Sequence, residues 1–430
     1  MATAGVYTLG CRVNQYESEA LTEKLALKGV EVRDFSDKND IYIINTCTVT
    51  AESDRKSRQI IRRALTQNPN AYVIVTGCMA ENDRERLLSM KGVDIICGNA
   101  AKMSAVDSAV LMLQKGAKNS APIILDDTFL AEENDFERMR ISEFGRTRVY
   151  IKIQDGCGGK CSYCIIPTVR GKPRSRSSDD IIEEVKRLSD TGCKEVVLTG
   201  IETSDYEFGL SELAEKISGI SGIERIRFGS LDPSFMTENN VSALMSVPKC
   251  MPHFHISAQH GSDRVLHRMR RRYGSERLRE SIESVRKHDC DAMITVDLIA
   301  GFPGEEESDV ELSVRFIKES RLLHSHIFTY SKREGTPAAV MPGQIPEEEK
   351  SRRAAYLESV QEIVKKELMD ERIGREYEVL VETVKDGLAR GHSRNFIDIA
   401  AKTDSIVSKN EIRIVKTDGT DKNGLTGRMI

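Results

Sequence analysis

The chain has 430 residues, a formal net charge of −4, and a composition that is 39% apolar and 30% charged. One hydrophobic core rarely organises so long a chain, so two or three domains are expected. No apolar run approaches the roughly 20 residues of a membrane span, and the N-terminus MATAGVYTLG lacks the pattern of a secretory signal. Ten cysteines without such a signal favour a cytoplasmic protein whose thiols bind metals instead of forming disulfides.

Residues 1–125 alternate short apolar runs with helical patterns, which predicts a doubly wound parallel sheet. The expected buried strands are VYTLG, IYIIN, YVIVTG and VDIIC. Asn14 followed by Glu17 is interpreted as the capped start of the first helix.

Three cysteines, Cys11, Cys47 and Cys78, each follow the end of one of these strands. Ligands gather at the carboxyl ends of strands in an open parallel sheet, so the three thiols could converge. From the residues alone two interpretations are open: a set of metal ligands, or three small thiols buried at strand ends. Cys97 also ends a strand and is interpreted as a buried spare thiol.

Residues 126–147 begin with the acidic segment DDTFLAEENDFERMR, which lacks clear periodicity and is predicted to be a linker or a small hairpin. Between residues 148 and 373, strands and helices alternate again. The predicted strands are VYIKIQ, EVVLTG, RIRFGS, HFHIS, DAMITVDLIAG and HSHIFTY. Six such units predict a partial (βα)6 barrel with its chemistry at the carboxyl ends of the strands.

The stretch CGGKCSYC places Cys157, Cys161 and Cys164 on one short loop. An odd number of clustered soft ligands indicates a metal site. Structural zinc normally has four ligands in two separated pairs. The spacing therefore favours a 4Fe–4S cluster in which one iron has no protein ligand, with a zinc knuckle or an electron-transfer cluster as the alternative.

This loop, with the strand VYIKIQDG before it and Tyr163 ahead of its last cysteine, resembles the radical S-adenosylmethionine (SAM) enzymes. The resemblance implies that the amino and carboxylate groups of SAM chelate the open iron. The segments LTGIE, HISAQHGSDRVLHRMRRRY and VDLIAGFPGE resemble the parts of the family that contact SAM, although ordinary βα turns also use Gly and Pro. The resulting candidates for cofactor binding are Tyr163, Gly200, Glu202, Ser257, Gln259, Asp297, Gly301 and Pro303.

The segments YTLGCRVNQYES, NTCTVTAESDRKSRQ and VTGCMAE resemble the cysteine motifs of the methylthiotransferase N-terminal domain. The resemblance implies that Cys11, Cys47 and Cys78 hold a second, auxiliary 4Fe–4S cluster that delivers sulfur. The motif TLGCRVNQYES resembles that of the family branch that converts threonylcarbamoyladenosine, 3′ of the tRNA anticodon, to its 2-methylthio derivative. One SAM would then be cleaved to methionine and a 5′-deoxyadenosyl radical, and a further SAM would supply the methyl group.

Residues 374–430 change to short β-like runs with Gly-rich turns, which predicts a small antiparallel β-barrel. Its position and wording resemble the TRAM domain, an RNA-binding barrel. Phe396 is a candidate base contact, with surface packing as the alternative. Clustered arginines can bind RNA phosphates, although a charge run is also typical of a solvated face. The candidate RNA-binding residues are Arg170, Arg174, Arg270, Arg271 and Arg394.

The sequence thus predicts an α/β enzyme with a tRNA substrate, an electron donor of the flavodoxin or ferredoxin type, no membrane contact and a monomeric state. Three alternatives are open. The first is a methylthiotransferase for isopentenyladenosine in tRNA, and the second is one for an aspartate of a ribosomal protein. The third is a non-catalytic iron–sulfur or zinc-binding RNA module. His260 and the segment TSDYEFG depart from the family pattern, and they bear on the substrate and not on the cofactor.

Overall fold

The computed structural model describes residues 1–116, 118–125, 136–403 and 406–430. Its N-terminal part contains β1 (Thr3–Thr8), α1 (Arg12–Leu27), β2 (Glu31–Arg33), β3 (Ile41–Thr46), α2 (Ala51–Gln67), β4 (Tyr72–Gly77), α3 (Cys78–Asn82), α4 (Arg84–Leu88), β5 (Ile95–Cys97), α5 (Lys102–Lys115) and β6 (Ile123–Leu125). The strands form one sheet in the order β2-β1-β3-β4-β5-β6, and every pair is parallel. Helices α1 and α5 cover one face, while α2, α3 and α4 cover the other. The doubly wound prediction is therefore confirmed.

The interpretation of Asn14 as a helix cap is wrong. Helix α1 begins at Arg12, and Cys11 occupies the capping position without a side-chain cap. Asn14 lies inside the first turn, where its amide donates to the carbonyl oxygens of Leu9 at 2.6 Å and Thr46 at 2.9 Å. This side chain therefore ties α1 to the ends of two strands.

The central part contains β7 (Arg148–Lys152), β8 (Gln154–Asp155), α6 (Ile166–Arg170), β9 (Arg174–Ser175), α7 (Ser178–Asp190), β10 (Glu195–Thr199), α8 (Leu210–Ser218), β11 (Arg225–Phe228), β12 (Ser230–Leu231), α9 (Glu238–Met245), β13 (His253–Gln259), α10 (Asp263–Arg268), α11 (Ser275–His288), β14 (Met293–Ala300), α12 (Glu307–Glu319), β15 (His324–Thr329) and α13 (Glu347–Asp370). Two parallel sheets, β11-β10-β7 and β12-β13-β14-β15, meet at a bridge between Ile226 and Cys250. Within the described residues no ladder joins β15 back to β7. This architecture is the expected partial (βα)6 barrel.

The C-terminal part contains β16 (Glu376–Lys385), β17 (Leu388–Ser393), β18 (Asp398–Lys402), β19 (Ile412–Thr420) and β20 (Leu425–Met429). These strands close into a barrel in the order β16-β17-β18-β20-β19. All ladders are antiparallel except that between β18 and β20, which is parallel. The predicted small barrel is confirmed, with this one parallel pair as a departure.

The small barrel packs against the amino ends of the large barrel's strands. Arg227 donates to the carbonyl oxygen of Ser393 at 2.9 Å. Phe396 stacks on His253, with ring centroids 4.2 Å apart, and the guanidinium groups of Arg148 and Arg227 lie 4.8 and 5.0 Å from its ring centre. Phe396 is therefore half-buried between the two barrels, which agrees with the packing alternative for this residue.

Of the segment expected to be a linker, residues 126–135 lie outside the described residues and residues 136–147 are described. Residues 136–147 have no regular secondary structure, but Met139 and Ile141 are buried. The hydroxyl of Tyr16 on α1 donates to the carbonyl oxygen of Met139 at 2.8 Å. This part of the segment is therefore fixed between α1 and the barrel. In the described part of the chain, no helix combines the length and the apolar character needed to cross a bilayer.

Candidate active site

The first cysteine triplet lies at one edge of the six-stranded sheet. Cys11 stands between β1 and α1, Cys47 follows β3, and Cys78 opens α3 after β4. Because β1, β3 and β4 are neighbours in a parallel sheet, their carboxyl ends bring the three side chains to the same edge. The strand order reverses between β1 and β3, so the triplet lies at the switch point where doubly wound folds bind ligands.

Two glycines allow the cysteine-bearing loops to come close together. Gly10 has φ +100°, and a Cβ there would lie 2.8 Å from the Cβ of Cys47. Gly77 has φ +94°, and a Cβ there would lie 2.5 Å from the carbonyl oxygen of Thr46. Only glycine is compatible with both the backbone conformation and the contact distance. The packing of neighbouring strand ends around the first triplet depends on these positions.

The second triplet lies on the loop between β8 and α6. Gly156 opens this loop with φ +73°, and a Cβ there would lie 2.0 Å from the carbonyl oxygen of Lys172. Within the loop, the amide of Gly159 donates to Sγ of Cys157 at 3.2 Å. The amide of Cys164 donates to the carbonyl oxygen of Cys161 at 3.2 Å. These contacts fold the loop back on itself, so the main chain sets the positions of the three thiols.

Helix α6 stands between the two triplets. Cys78 of the first triplet packs against Ile165 and Val169, which belong to the chain segment that leaves Cys164 of the second. Asn99 donates to the carbonyl oxygen of Val169 at 2.8 Å, and its amide nitrogen lies 3.8 Å from Sγ of Cys78. The two sites are therefore neighbours that share one short helix as a wall.

The donor chemistry of both triplets fits iron–sulfur clusters. None of the ten cysteines is in a disulfide. In the described part of the chain, no three His, Cys, Asp or Glu side chains are grouped as ligands of a single metal ion. In a 4Fe–4S cluster each thiolate binds a different iron, so the ligands stand farther apart than they would around one ion. Each triplet would leave one iron without a thiolate.

Burial favours the protonated form of two of these thiols, Cys47 and Cys164. Burial, with smaller contributions from Cys78 and Cys11, raises the pKa of Cys47 to about 11. Burial raises the pKa of Cys164 to about 12, and the neighbouring thiols add to this shift. A metal must displace these protons because only the thiolate is a ligand.

Arg271 lies beside the second triplet. Its Nη1 donates to Sγ of Cys161 at 3.2 Å, its Nη2 donates to Asp232 at 2.7 Å, and its Nε donates to the hydroxyl of Tyr273 at 2.9 Å. The side chain is only 9% exposed. The guanidinium is therefore directed to the cysteine loop, and this geometry does not favour the predicted role of Arg271 in RNA binding.

Glu202 is an acidic group on the same side of the second triplet. Burial, followed by the negative charges of Asp232 and Asp205, raises the pKa of the Glu202 carboxyl to about 7. Glu202 in turn contributes to the raised pKa of Cys157, after burial. Gly200 lies against Gln154, whose Oε1 accepts the amide hydrogen of Glu202 at 2.9 Å.

The other candidates for SAM binding are spread over several elements. Tyr163 meets the ring of Phe302 edge-on, with centroids 6.3 Å apart. Ser257 donates to the carbonyl oxygen of Leu231 at 3.2 Å. Gln259 has φ +64° at a shift in the register of β13 against β14. Asp297 is partly exposed and lies 3.2 Å from Nε2 of His255.

The turn that contains Gly301 and Pro303 is engaged by the protein itself. The amide of Gly301 donates to Glu305 at 2.9 Å, and a Cβ on Gly301 would lie 2.3 Å from Cγ of Lys350. The carbonyl oxygen of Pro303 accepts from Nε of Arg268 at 3.0 Å. Packing against α13 explains the glycine, so the geometry does not support the expected contact of this turn with adenine.

The remaining arginines predicted to bind RNA occupy different environments. Arg170 is fully buried, and its prediction as an RNA contact is wrong because the side chain forms ion pairs inside the protein. Arg174 is mostly buried and lies 3.7 Å from Asp155. Arg270 is exposed beside the cysteine loop, whereas Arg394 is exposed at the opposite end of the barrel.

Sequence reasoning missed the polar groups that join the two sites. Glu17 and Lys102 are fully buried and paired with each other, and Lys152 donates to Glu17 at 2.8 Å. Asn14 and Asn99 contact Cys11 and Cys78 through their amide groups. Glu17 lies within the ordinary amphipathic pattern of α1, so its position in the sequence did not indicate a buried charge.

Comparisons with known proteins cover most of the chain. The profile described as the Radical SAM superfamily matches residues 151–317, and that described as Uncharacterized protein family UPF0004 matches residues 3–98. The threonylcarbamoyladenosine tRNA methylthiotransferase MtaB of Bacillus subtilis is 36% identical over 95% of this chain and 92% of its own length. The protein of the same name from Chlamydia pneumoniae is 35% identical over 98% of this chain and 97% of its own.

A second kind of relative is similar at a slightly lower level. The tRNA-2-methylthio-N(6)-dimethylallyladenosine synthase of Methylacidiphilum infernorum is 34% identical over 89% of this chain and 84% of its own length. Among solved structures, the radical SAM methyltransferase TsrM of Kitasatospora setae aligns with a TM-score of 0.58 at 15% identity, over 79% of this chain and 77% of that chain. The latter similarity concerns the fold alone.

Proposed function

The chain belongs to the radical SAM methylthiotransferase family, and on this basis we propose that it converts threonylcarbamoyladenosine, 3′ of the tRNA anticodon, to its 2-methylthio derivative. One structural observation carries the proposal: two triplets of cysteines lie on either side of α6, at the carboxyl ends of two parallel sheets. A reaction that joins sulfur to an unreactive carbon needs two such centres side by side. Because other relatives are named for dimethylallyladenosine, the experiment has to determine which modified adenosine is the substrate.

We propose that Cys157, Cys161 and Cys164 hold the 4Fe–4S cluster that binds SAM, and that the first triplet holds the auxiliary cluster. The C–H bond at carbon 2 of adenine is too strong and too weakly acidic for a protein base. When bound, the two clusters and SAM supply a one-electron route to this hydrogen, together with the sulfur and the methyl group. The protein contributes position and the exclusion of water.

The side chains around the second triplet support this assignment. Arg271 places a permanent cation against Cys161, where it offsets the negative charge of a thiolate-bound cluster. Glu202 lies in an acidic setting on the same side and is suited to hold the amino group of SAM. Tyr163 and Phe302 form part of an apolar cluster that limits access of water to the loop.

We further propose a division of the chain into residues 1–125, 148–373 and 374–430, joined by the segment 126–147. The protein is proposed to act as a cytoplasmic monomer that receives electrons from a flavodoxin or ferredoxin. For RNA contact, exposed Arg270 beside the cysteine loop is the remaining candidate at the active-site end.

The test is a nucleoside digest of tRNA from cells that lack the protein, analysed by mass spectrometry. We expect loss of the 2-methylthio derivative of threonylcarbamoyladenosine and accumulation of its precursor. Loss of the methylthio derivative of isopentenyladenosine instead would transfer the proposal to that base. An unchanged digest would contradict both.

Iron analysis tests the two cluster sites separately from the substrate. The anaerobically reconstituted protein is expected to hold about eight irons per chain, and about four after alanine replaces either complete triplet. SAM cleavage should disappear with the second triplet and remain detectable without the first. Cys97→Ala is the matched control, because Cys97 is buried at the end of β5 in the same sheet. Full iron content after loss of a triplet would refute that site.

A further inference from the structure

Arg170 is the last residue of α6 and is completely buried between the two cysteine sites. Its Nη2 donates to Oδ1 of Asn14 at 2.6 Å, three residues after Cys11. Its Nη1 donates to Glu17 at 3.1 Å and to Asp155 at 2.9 Å, two residues before Cys157. The guanidinium therefore joins the helix that follows Cys11 of the first triplet to the strand that precedes the second triplet.

The charges around Arg170 do not balance among the described residues. The buried cations are Lys102, Lys152 and Arg170, and the largely buried Arg174 brings a fourth to Asp155. Facing them are the carboxylates of Glu17 and Asp155, together with Glu137, whose pKa burial raises to about 7. Even with Glu137 fully ionised, four cations face three carboxylates in the part of the chain that the structure describes. An uncompensated buried charge is costly, so the site is suited to a further anion.

One donor of Arg170 also lacks a partner. Its Nε is buried and has no hydrogen-bond acceptor among the described residues. Cys11 is one contact away, because its Sγ lies 3.8 Å from the same Oδ1 of Asn14 that accepts from Arg170. Once they are thiolates, Cys11 and Cys78 are the next negative groups that act on the guanidinium after Asp155 and Glu17. A buried, unpaired N–H of a charged group close to two cysteines of the first triplet is the arrangement expected for a donor to cluster sulfur.

We propose that Arg170 is a positioning residue of the auxiliary site, where its Nε–H donates to a sulfur of the cluster and its charge supplies the missing balance. The inference rests on the auxiliary cluster of the proposed function. Because a nearby cation stabilises the more negative, reduced state of a cluster, Arg170 raises the reduction potential of that cluster. It also holds α1 and the loop of the second triplet at a fixed separation.

The experiment uses full-length protein in which Cys157, Cys161 and Cys164 are replaced by alanine, so that only the auxiliary cluster is observed. Arg170→Gln and Arg170→Lys are compared in this background by iron analysis and by potentiometric titration followed by electron paramagnetic resonance. Arg176→Gln is the matched control. Arg176 is also buried at the contact with α1, where it pairs with Glu184 and Tyr16, but it does not adjoin the cysteines.

For Arg170→Gln we expect the ratio of reduced to oxidised cluster at a fixed potential to fall about tenfold, which for a one-electron couple corresponds to about 59 mV. Arg170→Lys keeps the charge and should keep most of the potential. The same variant should lose the coupling of an exchangeable proton to the cluster, measured by electron–nuclear double resonance in H2O and D2O. Arg176→Gln should retain both signals.

A wild-type potential in Arg170→Gln, with about four irons bound, would overturn the inference. If this variant does not accumulate with iron, an undiminished proton coupling in Arg170→Lys would overturn it instead. A purely structural role of Arg170 would change iron content or folding without shifting the potential of the cluster that remains. Absence of iron in the background protein with intact Arg170 would contradict the proposed auxiliary cluster itself, which is a separate outcome.

Discussion

Phe396 holds the small barrel against the amino ends of the large barrel, and its replacement by alanine is expected to loosen this contact. The ring stacks on His253 at 4.2 Å, meets the tilted ring of His392 at 4.6 Å, and lies under the guanidinium groups of Arg148 and Arg227. Truncation of a buried Phe costs about 3 to 5 kcal/mol. Because Phe396 is only partly buried, we expect the lower end, about 3 kcal/mol, with the cation–π contacts included.

A loss of about 3 kcal/mol corresponds to about a hundredfold increase in the population of the undocked small barrel, since about 1.4 kcal/mol is a factor of ten. Native-state proteolysis reports this population when opening is fast relative to cleavage. The expected result is about a hundredfold faster cleavage in residues 374–430 of Phe396→Ala. Phe208→Ala is the control, because Phe208 is 48% exposed and should change the rate little. Equal rates for the two variants would refute the reasoning.

Two further predictions concern the backbone of the cysteine loop and the interface between the barrels. Gly156→Ala should lower iron incorporation at the second triplet, because its Cβ would lie 2.0 Å from a carbonyl oxygen, whereas Gly145→Ala, with open space around it, should not. Burial and then the charge of Arg227 lower the pKa of His253, so the unfolded chain takes up a proton first as the pH falls below about 6.5. Urea unfolding should therefore show declining stability from that pH down to the folded pKa, and a weaker slope in His253→Gln.

The order and type of most elements could be predicted from the sequence because the apolar runs are short, regular and separated by turn residues. The sequence also placed Cys11, Cys47 and Cys78 at the ends of predicted strands and the other three thiols on one short loop, where the structure has them. The helix that opens at Arg12 was mispredicted because Asn14 resembles a cap, while its amide in fact bonds to Leu9 and Thr46. Local pattern cannot reveal a polar group whose partners lie on other strands.

The role of basic residues was the least predictable part of the site. Arg170, Arg271 and Arg270 all occur in arginine-rich stretches that are typical of an exposed, RNA-binding face. The structure buries the first, directs the second to Cys161 and exposes only the third. The difference depends on carboxylates such as Glu17 and Asp232, which are distant in sequence and carry no signal in the stretches themselves.

Because α6 borders both cysteine sites, assembly of a cluster at one site would affect assembly at the other. Cys78 packs on Val169, and the same helix begins two residues after Cys164, so ordering one thiol set also orders the helix used by the other. Any residual freedom of α6 would then be lost once, at whichever site is occupied first, and the second occupancy would be more favourable. Under limiting iron and sulfide, the population would consist mainly of empty chains and fully loaded chains, with few that carry a single cluster.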